Sequence, residues 1–183
     1  MDEVSLASKI LRAPQVRAAI VSVAAGVAIL ASKFGAYMLT GSVAMFSDAA
    51  ESVVNVAAAN IALISLAVAV RPPDAGHPYG HGKAEYLSSA TEGALIFLAG
   101  SWTLVTAIQR LIRPLPLRNL DVGLAVLAVA TAANYLTARF LLRVSKDANS
   151  IALEADARHL LTDVLTSLAV LAGLGLAWVT GLN

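Results

Sequence analysis

The sequence predicts an all-α integral membrane protein, and three observations carry this prediction. The mean hydropathy is +0.74. Of the 183 residues, 58% are hydrophobic and only 14% are charged, whereas soluble domains carry about 25% charged residues. Five stretches are long and apolar enough to cross a bilayer, which takes about 20 residues. These predicted spans cover residues 17–38, 42–70, 86–112, 120–143 and 149–179.

The composition also excludes several classes of protein. A net charge of +1 leaves no basic face for nucleic acid, and the apolar content excludes a disordered chain. Because the sequence has no cysteine, it has neither disulfides nor thiolate metal sites. The first 16 residues form a short amphipathic, partly basic segment rather than a cleavable signal peptide. We therefore expect membrane lipid, and no nucleic acid, among the partners.

The lysines and arginines of the connections predict the orientation, because cytoplasmic loops carry an excess of them. Eight lie on the side of the amino terminus and three on the opposite side. The sequence therefore predicts a cytoplasmic amino terminus. The larger group is Lys9, Arg12, Arg17, Arg71, Lys83, Arg139, Arg143 and Lys146, and the smaller is Arg110, Arg113 and Arg118.

Two polar segments in the second and fifth predicted spans, residues 47–55 and 155–163, resemble each other. Each has Asp-Ala, one further residue, a polar residue of a type that binds metals, three more residues, and a carboxylate or its amide. If the second span corresponds to the fifth, three helices form a unit that is repeated in inverted topology, as in many secondary transporters. Such a repeat needs a sixth helix after Asn183. We therefore expect the sequence to be incomplete at its carboxyl end, the alternative being an accidental repeat in a five-helix protein.

The two segments carry matched pairs of polar residues. Glu51 and Asn55 are four residues apart, as are His159 and Asp163, so each pair projects from one face of its helix. At a rise of about 1.5 Å per residue, the pairs meet near the middle of a core about 30 Å thick. Carboxylate, amide and imidazole suit a divalent first-row cation. The alternative is that they only join helices by hydrogen bonds, but two pairs at matched depth favour a metal site.

Three further carboxylates lie inside the predicted spans. Asp48 and Asp156 each precede one pair by about a turn of helix. They are candidates for orienting the ligands or for attracting cations, and the alternative is that they are residues of helix ends. Glu92, in the third predicted span, is a candidate proton site or a residue that orients a ligand, because an ionisable group within the membrane is costly and usually functional.

The connection between the second and third spans holds Asp74, His77 and His81 among prolines and glycines. Their carboxylate and imidazole groups can close on one ion, although loop histidines are more often simply solvated.

The chain resembles the cation diffusion facilitator family of metal–proton antiporters. The resemblance rests on this loop, which continues through Gly82 to Lys83 and Glu85, and on the polar segments of the second and fifth spans. The resemblance covers nearly the whole chain, so that residues 1–183 are expected to be a cation efflux transmembrane domain. It implies a six-helix membrane fold, a homodimer and, in many members, a cytoplasmic carboxyl-terminal domain. The sixth helix and that domain lie outside this sequence.

The resemblance also implies roles for individual residues. Glu51, Asn55, His159 and Asp163 would form the transport site, and the loop triplet a second metal site. Family members usually have His or Asp, then Asp, at the two positions of the second span, whereas this chain has Glu51 and Asn55. Because an amide cannot exchange a proton, Glu51, His159 and Asp163 are the expected proton carriers.

The function implied by the resemblance is export of a divalent metal from the cytoplasm, Zn²⁺ or Fe²⁺ before Mn²⁺ or Co²⁺, in exchange for protons. We expect it in the inner (plasma) membrane of a bacterium, with no cofactor besides the transported metal. The alternative is a membrane protein that binds metal as a partner or sensor without moving it. An enzyme is not expected, because the sequence has neither a His-Glu-x-x-His nor a Gly-x-Ser-x-Gly motif.

Overall fold

The computed structural model describes residues 3–40, 43–112 and 120–180, and their secondary structure is entirely helical apart from short connections. A short amphipathic helix, α1 (Glu3–Arg12), is followed by five long helices. These are α2 (Pro14–Thr40), α3 (Val43–Ala69), α4 (Lys83–Ile112), α5 (Leu120–Ala148) and α6 (Ile151–Thr180). The all-α class predicted from the sequence is confirmed.

The five long helices coincide with the five apolar stretches of the sequence. Within the described residues, three stretches of helix are long and apolar enough to cross a membrane by length and composition, and they are Pro14–Leu39, Asp48–Ala69 and Leu124–Ala148. The described parts of α4 and α6 are interrupted by more charged side chains, among them Glu92, Asp156 and Asp163. These two helices pack against each other and against α3, which places the charged side chains among helices.

A hydrophobic core closes one end of the bundle. It joins the start of α2, the last turns of α3 and α5, and the start of α6, so these four helix ends lie on the same side. The connection between α3 and α4 begins at this end as well. The core residues are Val16, Ala18, Ala19, Leu66, Leu141, Ala152, Leu153 and Ala157.

Small residues let the helices approach closely further along the bundle. Ala49, Ala58 and Ala62 of α3 are at most 2% exposed, and α3 packs mainly on α2. A Cβ on Gly26 of α2 would lie 3.3 Å from Cγ2 of Val56, so even an alanine there would require the Val56 side chain to shift by a few tenths of an ångström. Small interfacial residues are typical of membrane helices in close contact.

The junction between α5 and α6 fixes where α6 begins. Asn149 has a positive φ of 48°, and the N–H of Ser150 donates to the carbonyl of Ser145 at 2.9 Å, as in a Schellman helix end. The carboxylate of Glu85 in α4 then accepts hydrogen bonds from the Ser150 hydroxyl, at 2.7 Å, and from the Ala152 N–H, at 3.3 Å. A side chain from α4 thereby caps the first turn of α6 and sets the register of the polar residues that follow.

Candidate metal centres

A hydrogen bond joins α3 to α6 inside the bundle. The amide Nδ2 of Asn55 donates to Oδ2 of Asp163 at 2.7 Å, across 108 residues of sequence. Nε2 of His159 lies 3.9 Å from the other carboxylate oxygen, Oδ1, which is too long for a hydrogen bond. Because a metal can occupy such a gap between an imidazole and a carboxylate, Asn55, His159 and Asp163 form what we call the intramembrane cluster.

The intramembrane cluster borders a small cavity of about 20 Å³. Asn55 and His159 line it, and the His159 residue is only 6% exposed. This volume admits one water molecule or one ion, since a single water needs at least about 10–15 Å³. The other polar residues that line the cavity are Ser22, Ser52, Asn134 and Asp156.

Glu51, the fourth residue predicted for this site, lies one turn before Asn55 but is exposed and outside the cavity lining. Its carboxylate is still within electrostatic range of Asp163. The structure therefore brings three of the four predicted residues together and leaves Glu51 on the exposed flank of α3. A rotation of its flexible side chain toward Asp163 is needed before it can share an ion with the other three.

Asp48 forms an ion pair with a lysine of the same chain. Nζ of Lys33 in α2 lies 2.8 Å from Oδ1 of Asp48, with both side chains largely sheltered from solvent. The same ammonium is within electrostatic range of Glu51 and Asp163. Asp48 is thus engaged in an ion pair between α2 and α3, and it contributes negative charge near the cluster without facing the cavity.

The other two intramembrane carboxylates of the sequence analysis, Asp156 and Glu92, are buried more deeply. Asp156 is 4% exposed and Glu92 is 1% exposed. Asp156 lines the cavity beside His159, and the charges of Asp156 and Glu92 are close enough to interact. Both residues therefore lie inside the bundle, with Asp156 next to the cluster and Glu92 within electrostatic range of Asp156.

The loop triplet forms a compact group of ligands. One ligand atom from each of Asp74, His77 and His81 lies within 4.8 Å of the others. Nδ1 of His77 is 3.1 Å from Oδ1 of Asp74, and Nε2 of His81 is 3.3 Å from Oδ2. The ring centroids of the two histidines are 4.4 Å apart. Two imidazoles and a carboxylate are ordinary ligands of Zn²⁺.

Backbone hydrogen bonds hold this loop in shape. The N–H of His77 donates to Oδ1 of Asp74 at 2.7 Å, and the N–H of Gly76 donates to the same oxygen at 2.9 Å. The N–H of His77 lowers the pKa of the Asp74 carboxyl, because the hydrogen bond favours the ionised form. Gly80, with φ of +84°, completes the turn that places His81 opposite Asp74, a conformation that glycine adopts without strain.

Several residues of the intramembrane site were not predicted from the sequence. Ser22, Ser52 and Asn134 line the cavity, and each is a polar residue inside an apolar stretch, which is the same signal that identified Asn55. Lys33 is also a polar residue inside an apolar stretch. Its partner Asp48 is 15 residues away, so no short sequence spacing predicts that the two side chains meet.

The bundle of apolar helices with buried metal-type ligands defines a polytopic membrane protein with candidate sites for divalent cations. Residues 19–183 match the family model of the cation efflux transmembrane domain. The chain therefore belongs to the cation efflux, or cation diffusion facilitator, family, which confirms the resemblance found in the sequence.

Individual relatives agree with this assignment. The chain is 47% identical over 163 residues to an uncharacterized transporter of Synechocystis, an alignment that covers 89% of this chain and 53% of the relative. It is 35% identical over 162 residues to the cation-efflux pump FieF of Salmonella typhi, covering 88% and 54%. The FieF pump of Klebsiella pneumoniae gives the same identity and coverage. The chain thus spans about half the length of the curated relatives it matches.

Proposed function

We propose that the protein exports a divalent transition metal, Zn²⁺ or Fe²⁺ in preference to Mn²⁺ or Co²⁺, from the cytoplasm in exchange for protons. The metal binds between α3 and α6, with His159 and Asp163 as its principal ligands and Asn55 and Glu51 completing the set. The observation that carries the proposal is the Asn55–Asp163 hydrogen bond beside His159. It brings the two polar segments of the sequence into contact in the interior of the bundle.

The donor set supports exchange of metal for protons. A metal needs a neutral imidazole and an ionised carboxylate, so metal binding releases protons and protonation releases metal. His159 and Asp163 can both take part in this competition, whereas Asn55 cannot. With a site that opens to each side of the membrane in turn, the competition couples the two fluxes.

The loop triplet, Asp74, His77 and His81, is proposed as a second metal site at the cytoplasmic end of the bundle. Its ligands are close together, and the loop lies at the end where the amino termini of α2 and α4 lie. The excess of lysine and arginine at this end supports a cytoplasmic amino terminus. A bacterial plasma membrane and a homodimer complete the proposal, and the bacterial origin of the relatives supports the former.

Transport into proteoliposomes tests the proposal. The complete protein is reconstituted with a zinc-sensitive dye inside, and uptake is measured with and without an opposing proton gradient. We expect His159→Ala and Asp163→Ala to reduce uptake to the level of empty vesicles. Thr162→Ala is the matched control, because Thr162 lies on α6 between the two ligands but is exposed. Wild-type rates in the two ligand variants would overturn the assignment of the site.

One observation favours a second candidate function, metal binding without transport. The loop triplet is an exposed and compact ligand group, whereas Glu51 stands apart from the intramembrane cluster. A sensor or partner protein would bind zinc at the loop alone. Zinc binding that His81→Ala abolishes, together with no uptake by wild-type vesicles, would favour this alternative over the transporter.

A further inference from the structure

Glu92 and Asp156 are two buried carboxylates whose charges are close enough to interact, and we refer to them as the carboxylate pair. Glu92 is 1% exposed and Asp156 is 4% exposed. Within the described part of the chain, both Oε atoms of Glu92, Oδ2 of Asp156 and the hydroxyl of Ser88 have no hydrogen-bond partner. The Ser88 hydroxyl is near the Glu92 carboxylate and can satisfy one of its oxygens, as Ser22 can for Asp156. Buried polar groups are nearly always satisfied, so the remaining carboxylate oxygens call for a ligand.

The charges around the pair make a proton the best-fitting ligand. The helices packed on α4 are α3 and α6. Asp156 of α6 is the charged group close to Glu92, while Asp48 of α3 is engaged with Lys33 and Glu51 of α3 acts on Asp163. Two ionised carboxylates at this depth are costly, and like charges that share a site cannot both stay ionised.

A metal ion fits the pair less well. The pair offers two carboxylates and the Ser88 hydroxyl, with no imidazole. Divalent transition metals are usually held by at least three protein ligands that include nitrogen or sulfur.

We propose that Glu92 and Asp156 form a proton-binding site, separate from the metal ligands, that holds one shared proton while the intramembrane cluster is free of metal. The proton is taken from water, leaving hydroxide, and forms an O–H bond on one carboxylate, so that only one of the two residues carries a charge. This inference rests on the proposed metal–proton exchange and adds a carrier to it.

The site is placed to respond to the metal. Asp156 lines the same cavity as His159 and Asn55, and its charge acts on Asp163. A divalent cation at the intramembrane cluster adds positive charge next to Asp156, which favours the ionised pair. Metal binding therefore expels the shared proton, and reprotonation of the pair favours release of the metal, since coupling between two sites is reciprocal.

Two measurements on the complete purified protein test the proposal. Infrared difference spectra, recorded as zinc is added, report the carbonyl stretch of a protonated carboxyl group. A pH-indicator dye in weak buffer counts the protons released for each Zn²⁺ bound. We expect Glu92→Gln to remove one protonated-carboxyl band and to reduce the proton count by about one, with the number of bound Zn²⁺ ions unchanged. Asp156→Asn is expected to do the same, which keeps the test open if one variant fails to fold.

Glu154→Gln is the matched control, because Glu154 lies on α6 near Asp156 but pairs with Arg158 on the exposed side. It should leave the band and the proton count as in the wild type. An unchanged band and count in both Glu92→Gln and Asp156→Asn would overturn the proton site. Loss of one bound Zn²⁺ in these variants would also overturn it, in favour of a metal site.

Failure of the proposed function gives a different result. If wild-type vesicles transport no zinc while the Glu92-dependent band is present, the exchange is wrong and the proton site stands. If wild-type vesicles exchange zinc for protons and the band is absent, the proton site is wrong and the exchange stands.

Discussion

Replacing Asn55 by aspartate tests whether α3 and α6 share one ion. In the structure the Asn55 amide donates to Asp163 at 2.7 Å. Asn55→Asp turns this attraction into a repulsion between two carboxylates. The lost hydrogen bond to a charged group is worth about 1.5–3 kcal/mol. If the two oxygens move apart to about 4 Å, their repulsion adds about 4 kcal/mol at an effective dielectric constant of 20.

A metal reverses this penalty, because a second carboxylate is a better ligand than an amide. Without metal, we expect the melting temperature of Asn55→Asp to fall by at least about 3–6 °C, since about 1.5 kcal/mol is lost and each kcal/mol corresponds to about 2–4 °C in a chain of this size. At low pH one of the two carboxylates takes up a proton, which removes their repulsion and limits the fall in melting temperature. The fall in melting temperature should therefore grow as the pH rises. Zinc should then raise the melting temperature of the variant more than that of the wild type.

The assay is thermal unfolding of the purified protein in detergent at two pH values, with and without zinc. Asn60→Asp is the matched control, because Asn60 lies on the same helix but donates to the backbone carbonyl of Val56 at 2.8 Å, away from Asp163. The reasoning is refuted if Asn55→Asp and Asn60→Asp show the same stability without metal and the same shift with zinc.

Three other predictions follow from the contacts of the bundle and the loop. Lys33→Met should destabilise the protein by about 1–3 kcal/mol because the Asp48 carboxylate loses its partner. In thermal unfolding, the double variant Lys33→Met with Asp48→Leu should recover most of this loss of stability. A double variant as unstable as Lys33→Met alone would argue against the ion pair. Glu85→Ala should cost about 1.5–3 kcal/mol because the Ser150 hydroxyl and the Ala152 N–H at the start of α6 lose their charged acceptor. An unchanged melting temperature would contradict this role of Glu85. The pKa of Asp74 lies below its ordinary value. The ionised Asp74 carboxylate should therefore stabilise the loop fully above about pH 3.9. This stabilisation should be lost as the pH falls through the lower pKa that Asp74 has in the folded loop. A carbon-13 titration of the labelled Asp74 carboxyl checks this, and a midpoint at or above the ordinary value would contradict it.

The sequence was sufficient to predict the class of fold. A long apolar stretch in lipid satisfies its backbone hydrogen bonds within itself only as a helix. The structure has a long helix at each of the five stretches. The family followed from the loop motif and the two polar segments, and it is confirmed.

The geometry of the site was less predictable. Helical periodicity places Asn55 with Glu51 and His159 with Asp163 on common faces, but it cannot give the rotation of α3 against α6. That rotation brings Asn55 to Asp163 and leaves Glu51 exposed. It depends on how α3 and α6 pack against each other, which no local pattern in the sequence encodes.

Long-range partners were also beyond the sequence pattern. The cap that Glu85 provides for α6 joins residues 65 apart. The neighbours of Glu92 depend on how α4 packs against α6. For the loop triplet, by contrast, the short spacing of Asp74, His77 and His81 was enough to propose a shared ion, and the structure brings their ligand atoms within 4.8 Å.

Anomalous X-ray diffraction at the zinc edge, from crystals of the zinc-loaded protein, tests the central proposal most directly. We predict a peak between α3 and α6, about 2.0–2.2 Å from a nitrogen of His159 and an oxygen of Asp163, with Glu51 turned inward. The peak should disappear in Asp163→Ala while the peak at the loop triplet remains. Zinc density confined to Asp74, His77 and His81 in fully loaded wild-type crystals would contradict the intramembrane site.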